Sequence, residues 1–214
     1  MNRVLILTAI FPLSVLASEG NRVGNGGDAL VCRAPDKGLS TVELFDFFEA
    51  SVLRPEKPEA RSPVDIAVEK VETLKAVHPE LADLLTRRLK VMLDDTDFKD
   101  NVALVDIQDS QHIVTPLKEG CRLEQIAMHW VGSVTIGKRF VIDRALWEKL
   151  SSFDKAGLMA HEVIYEYFSK LGEEDSRRAR AFNAKLFKGE FAKMSKSEYW
   201  AWVKSMALPL YPKL

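Results

Sequence analysis

A single α+β domain, with several helices packed on a small and mostly antiparallel sheet, is the fold this sequence predicts. Three observations carry that prediction. Apolar residues recur at helical spacing through much of residues 40–93 and again through 151–206. Between these regions lie short runs rich in apolar and β-branched residues, NVALVDIQ, CRLEQIAMHW and KRFVID, separated by polar or glycine-containing stretches. No internal repeat, low-complexity tract or domain linker divides the chain, whose 214 residues suit one domain with a sizeable core.

In chain order, MNRVLILTAIFPLSVLASEG has Arg3 as its only early charge, an apolar run from Val4 to Leu16, and small residues at Ala17 and Ser18. This is the pattern of a secretory signal peptide over residues 1–17, with 18–214 as the mature domain. The run is shorter than the roughly 20 residues a spanning helix needs, and no later segment is long and apolar enough to cross a bilayer. Export to the periplasm or the medium is therefore expected. GNRVGNGGDALVC then supplies a turn-rich entry to a strand at about 29–33. TVELFDFFEASVL carries Leu44, Phe45, Phe48 and Leu53 at helical spacing, so a first helix is expected there, capped by Ser40 or Thr41. RPEKPEARSP is a surface connector, and residues 64–93 form two helices broken near His78, with Pro79 opening the second.

After the strand region, SSFDKAGLMAHEVIYEYFSKLG has a serine cap, Asp154 in its first turn and Gly172 as terminator. DSRRARAFNAKLF and MSKSEYWAWVKSM predict two further helices. In the second, Trp200 and Trp202 stand two apart and cannot share a face.

Charge excludes some functions. With 30 basic and 31 acidic residues mixed along the chain, neither nucleic acid nor an anionic membrane is expected as a partner. The two cysteines, Cys32 and Cys121, form an even pair in a chain expected to be exported, which favours a disulfide. A buried thiol pair and a metal-ligand role are the competing readings.

The chemistry concentrates in HEVIY. At about 100° per residue, Met159, Ala160, Val163, Ile164, Tyr167 and Leu171 share an apolar face. His161, Glu162, Tyr165, Glu166 and Ser169 share the other. His161 and Tyr165 are one turn apart with Glu162 beside them, the spacing of a zinc-binding HExxH helix with tyrosine in place of the second histidine. In that chemistry the metal is zinc, His161 and Tyr165 are the ligands and Glu162 takes a proton from metal-bound water. A third ligand would come from Glu173, Glu174, Asp175, His112 or His129. A second reading gives His161 and Glu162 structural hydrogen bonds at the rim of the core. A third makes Glu162 a metal-free general acid or base paired with Asp143 or Glu124, as in glycoside hydrolysis. Under the hydrolytic readings the partner is peptide or cell-wall material.

From 138 to 172, the order RFVID, RALWEKL, LMAHE resembles the edge strand and metal helix of zincins. More broadly, GNGGDALVC, VELFDFFEA, GCRLEQIA, DRALWEKL, HEVIY and DSRRARAFNA together resemble a group of uncharacterised exported proteins of predatory and related delta-type proteobacteria. That resemblance implies that Cys32, Cys121, His161, Glu162, Tyr165, Ser176, Arg180 and Asn183 match the group's recurrent pattern, and it brings no activity with it. Ser176, Arg180 and Asn183 are spaced i, i+4 and i+7 and would share one helix face. Facing His161 and Tyr165, they would make a polar cluster. It would either hold an anionic or peptide-like ligand on Arg180 or lock two helices through an Arg180–Glu162 pair.

Overall fold

The computed structural model describes residues 22–34, 38–57, 59–100, 102, 104, 117, 119–131 and 137–210. The expected signal peptide at 1–17, most of NVALVDIQ, and His112 lie outside the described residues. Among the described residues the architecture is α+β, with seven helices and two small sheets.

The sheets share one bent ribbon. β1 (Arg22–Asn25) runs antiparallel to β6 (Ala127–Val131), and β2 (Asp28–Ala34) runs antiparallel to β5 (Cys121–Gln125). The first pair belongs to a four-stranded sheet of order β1-β6-β7-β4, with β4 at Thr96–Lys99 and β7 at Phe140–Asp143. The second belongs to a three-stranded sheet of order β3-β2-β5, with β3 at Gly38–Leu44. Only β4 and β7 pair in parallel among the described strands. The ribbon crosses from one sheet to the other at Gly26 and Gly27 on one side and Ile126 on the other, where the Gly27 carbonyl accepts Ile126 N–H at 3.0 Å and Ala127 N–H at 3.2 Å. Gly26 permits the crossing because a Cβ there would lie 2.0 Å from the Ala127 carbonyl oxygen.

Cys32 and Cys121 face each other in this ribbon and are joined as a disulfide, 89 residues apart in sequence. The competing thiol-pair and metal-ligand readings are thereby displaced.

The expected first helix is corrected. Thr41 is exposed, Val42 buried, Glu43 half-buried and Leu44 buried, an alternation that belongs to β3. The helix itself, α1, spans only Phe45–Glu49, with Leu44 at its N-cap. Neither Ser40 nor Thr41 caps it, and Leu53, placed on the apolar face by spacing, is 90% exposed. β-Branched residues pairing with β2 outweigh the helical spacing here.

The other helices follow their caps. α2 (Pro63–Glu72) has Ser62 accepting the Asp65 N–H and proline at its first position. A 3₁₀ turn at Thr73–Ala76 leads to α3 (Pro79–Met92), with the break at His78 where the spacing puts it. α4 (Arg144–Lys149) is capped by Asp143 and α7 (Lys196–Ser205) by a Ser195/Glu198 capping box. Trp200 packs on His78 at 5.0 Å while Trp202 meets Phe182 and Phe191, on different sides as their spacing requires.

α5 (Ser152–Lys170) runs through the middle of the molecule, against α2, α3, β6 and α6 (Arg177–Phe187). Ser151 caps it, and Asp154 in its first turn accepts the Leu44 N–H and a fork of bonds from Arg54. The expected division of this helix into an apolar and a polar face is corrected: from Phe153 to Glu166 all but Lys155 are buried. Its polar stripe lies inside the fold, so each charged group on it must meet a partner there. Glu166 shows how this is met, with Arg88 at 2.6 Å, Lys170 at 2.9 Å and Arg139 at 3.3 Å.

Candidate functional site

α5 sets His161, Glu162 and Tyr165 on one stripe, but their polar ends go to three different elements. His161 Nδ1 lies 2.9 Å from Asp46 Oδ2 on α1, and Asn183 on α6 donates to the same oxygen at 2.7 Å and to the Gly157 carbonyl at 3.0 Å. Glu162 Oε1 accepts the Gly27 N–H at 2.5 Å, and its Oε2 stands 3.5 Å from His129 Nδ1 on β6. Tyr165 donates its hydroxyl to the Glu174 carbonyl at 3.1 Å and sets its ring edge-on to His129, 4.9 Å away. His161 and Glu162 are 0% exposed, and His129 and Tyr165 are 1% exposed.

Arg180 joins this cluster from α6. Its Nε is 3.4 Å from Glu49, its Nη1 is 4.0 Å from Asp28 and 3.4 Å from the Ser176 hydroxyl, and its guanidinium lies over Phe45. Glu49, Asp28 and the charge of Asp46 are among the acids it meets, where the sequence had offered Glu162. Ser176, Arg180 and Asn183 are all buried as their shared spacing implies, with Ser176 at the N-cap of α6.

Burial alone would push the His161 imidazole down, yet the Asp46 carboxylate beside it and hydrogen-bonded to it, helped by Glu162, raises it to about 9. Burial likewise pushes the Asp46 carboxyl up. His161, the hydrogen bonds from His161 and Asn183, and the charge of Arg180 outweigh this and hold it below its ordinary range. Both shifts favour the charged pair, an imidazolium beside a carboxylate.

In this arrangement His161 Nδ1 is taken by Asp46 and the Tyr165 hydroxyl donates to a backbone carbonyl, while His161 Nε2 is buried with no hydrogen-bond partner. Among the described residues no three His, Cys, Asp or Glu side chains converge as a ligand set. Of the other ligands expected, Glu173 binds Arg178 and Asp175 binds Arg177, each beyond the end of α5. His129 does join the cluster, through Glu162 and Tyr165. The carboxylates proposed as partners of Glu162 are also engaged elsewhere, Asp143 capping α4 and Glu124 binding Arg33 and Arg122.

Comparisons with protein-family models, with curated proteins and with solved structures gave no match.

Two residues of this cluster escape a reading by motif. Asp46 is an acid set directly between two phenylalanines in LFDFFEA, a placement that itself signals a buried, paired carboxylate. Gly27 lies in the GNGG entry, where a Cβ would fall 2.3 Å from Leu158 Cδ1 and 3.3 Å from Glu162 Oε1. Only at glycine does the backbone come this close to α5.

The cluster reaches solvent at one edge. Asp46 also borders an open groove of about 390 Å³ between α1 and α6, lined further by Glu49, Arg177, Arg180, Ala181 and Ala184.

Proposed function

We propose that this chain is an exported, disulfide-braced protein without hydrolytic activity, whose HEVIY helix and polar cluster are a structural lock. The observation that carries this reading is the bond from Gly27 N–H to Glu162 Oε1. At the crossing between the two sheets the Gly27 amide has no strand partner to donate to, and Glu162 supplies the acceptor from inside the core. A general base must instead reach the proton of a substrate or its water, and a carboxylate with 0% exposure has no such access. Export is supported by the leader-like start of the sequence, by the disulfide, and by the finding that no described helix is long and apolar enough to cross a membrane.

The test contrasts two substitutions at one position. Glu162→Gln keeps an oxygen for Gly27 and is expected to fold with a loss of about 1–2 kcal/mol, whereas Glu162→Leu leaves the buried amide unmatched and is expected to lose about 3 kcal/mol or more. The wild-type protein is expected to carry no stoichiometric zinc by elemental analysis and to leave peptide and peptidoglycan substrates uncut. Hydrolysis that disappears in a folded Glu162→Gln protein would establish the hydrolase instead.

A further inference from the structure

His78 stands where the chain passes from the Thr73–Ala76 3₁₀ turn into α3, and α7 is fastened at the same point. Its Nδ1 lies 2.9 Å from the Tyr199 hydroxyl, and the two rings meet edge-on at 5.6 Å. Trp200, the next residue of α7, packs on the same imidazole. Tyr199 is fully buried and set against Phe191 at 5.7 Å, so its hydroxyl must find an acceptor within reach. Burial, with the neighbouring Tyr167 phenol, pushes that hydroxyl above its ordinary range, and it keeps its proton. The acceptor that suits it is the bare Nδ1 of a neutral His78.

A proton on His78 works against this arrangement. An imidazolium carries hydrogen on both nitrogens, so the Tyr199 proton loses its acceptor inside the fold. His78 is also the N-cap residue of α3 and its side chain caps no amide there, so a cation on it meets the positive end of that helix. Burial pushes the imidazole below its ordinary 6.5, and the charge of Glu80 on α3 opposes this only in part. Lys75, in the preceding 3₁₀ turn, is turned to Glu72 and Asp83. The bond is therefore at full strength above about pH 6.5 and weakens as pH falls through the lower value of the folded protein. The other holds on α7, Trp202 on Phe182 and Phe191 and Arg178 on the Met206 carbonyl just past its end, involve no histidine.

We propose that His78 and Tyr199 form a latch that fastens α7 at neutral pH and loosens when His78 takes up a proton. Nitrogen NMR of the protein at about pH 7.5 is expected to show His78 as the neutral tautomer with its hydrogen on Nε2. Protection of the α7 amides against hydrogen exchange is expected to fall about three-fold or more between about pH 7.5 and 5.5, with the amides of α5 as the reference for global unfolding. Tyr199→Phe keeps the ring but removes the donor, so the His78 midpoint is expected to rise toward 6.5 and the response of α7 to shrink. His78→Phe keeps a ring against Trp200 and cannot titrate, so α7 is expected to stay equally protected across that range. Three results would overturn the latch: hydrogen on Nδ1 of His78 at neutral pH, α7 protection in the wild type that does not change with acid, or the same change in folded His78→Phe.

Discussion

His161 and Asp46 form an ion pair inside the core, and such pairs are judged by what happens when one partner changes charge. A buried pair contributes modestly relative to an apolar substitute, but removing one partner strands a charge and costs roughly 3–5 kcal/mol. pH does the same without mutation. The His161 pKa is raised from 6.5 to about 9, so its contribution is fully present below about 6.5 and is lost as pH rises through 9. The size is on the order of 3 kcal/mol. Asp46 is held below its ordinary value of 3.8, so its contribution is present above that value and is lost as pH falls through the folded one. The pair is therefore most stabilising between roughly pH 4 and 6.5. Urea unfolding at pH 6 and pH 9 should show the wild type losing about 3 kcal/mol more than Asp46→Asn, which keeps a hydrogen-bonding oxygen but removes the charge. Equal losses in both proteins would mean that His161 is not held charged by Asp46.

At the scale of elements, α5 works because two glycines let other backbone and side chains reach it. Gly27 brings the ribbon's crossing against Glu162, and Gly157 admits Phe47. A Cβ at position 157 would sit 2.3 Å from Phe47 Cζ and 2.6 Å from Leu44 Cδ2. Phe47 cannot retreat, since Phe153 and Phe187 pack on it at 5.2 and 4.8 Å. Gly→Ala within a helix ordinarily gains up to about 1 kcal/mol, whereas overpacking a core costs about 1–3. Gly157→Ala is accordingly expected to lower the thermal midpoint, as measured by circular dichroism, and a rise would show that the α1 contact is soft. The same scale explains what the sequence made legible. Several helices announce themselves through local signals, Ser62 and Pro63 at the start of α2, Pro79 at that of α3, Ser151 and Asp154 at that of α5 and the Ser195/Glu198 box at that of α7, whereas the short α4 gave no helical signal of its own. β3 hides because Leu44, Phe45 and Phe48 mimic a helical stripe across the strand-to-helix junction. The letters of HEVIY were legible too, and Asn183 was placed with them by its spacing from Ser176 and Arg180, but the partners Asp46 and Gly27 are not legible. Asp46 stands 115 residues from His161 and 137 from Asn183, and Gly27 stands 135 from Glu162, separations over which no periodicity operates. A motif names the chemistry a helix offers. Only the fold decides whether solvent or another element meets it.

For the whole molecule, the disulfide and the charged cluster brace the same ribbon from two ends. Cys32–Cys121 pins β2 to β5 in the three-stranded sheet, while Glu162 holds the crossing at Gly27 that leads into the four-stranded one. Closing a loop across 89 residues removes conformational freedom from the unfolded chain, by about 4–5 kcal/mol in the chain-entropy model. The native packing needs little from the bond itself, since Arg33 N–H to the Gly120 carbonyl at 2.8 Å and the Arg33–Glu124 pair already hold the neighbouring register. The Cys32→Ser/Cys121→Ser protein should therefore fold to the same structure with a lower urea midpoint. Its unfolding should also have a steeper dependence on urea, because an uncrosslinked unfolded chain exposes more surface. If stability fell with the slope unchanged and the native spectrum altered, the disulfide would be acting on the folded ribbon. The entropic account would then give way to one in which the bond maintains the alignment of β2 and β5, and with it the approach of Gly27 to Glu162.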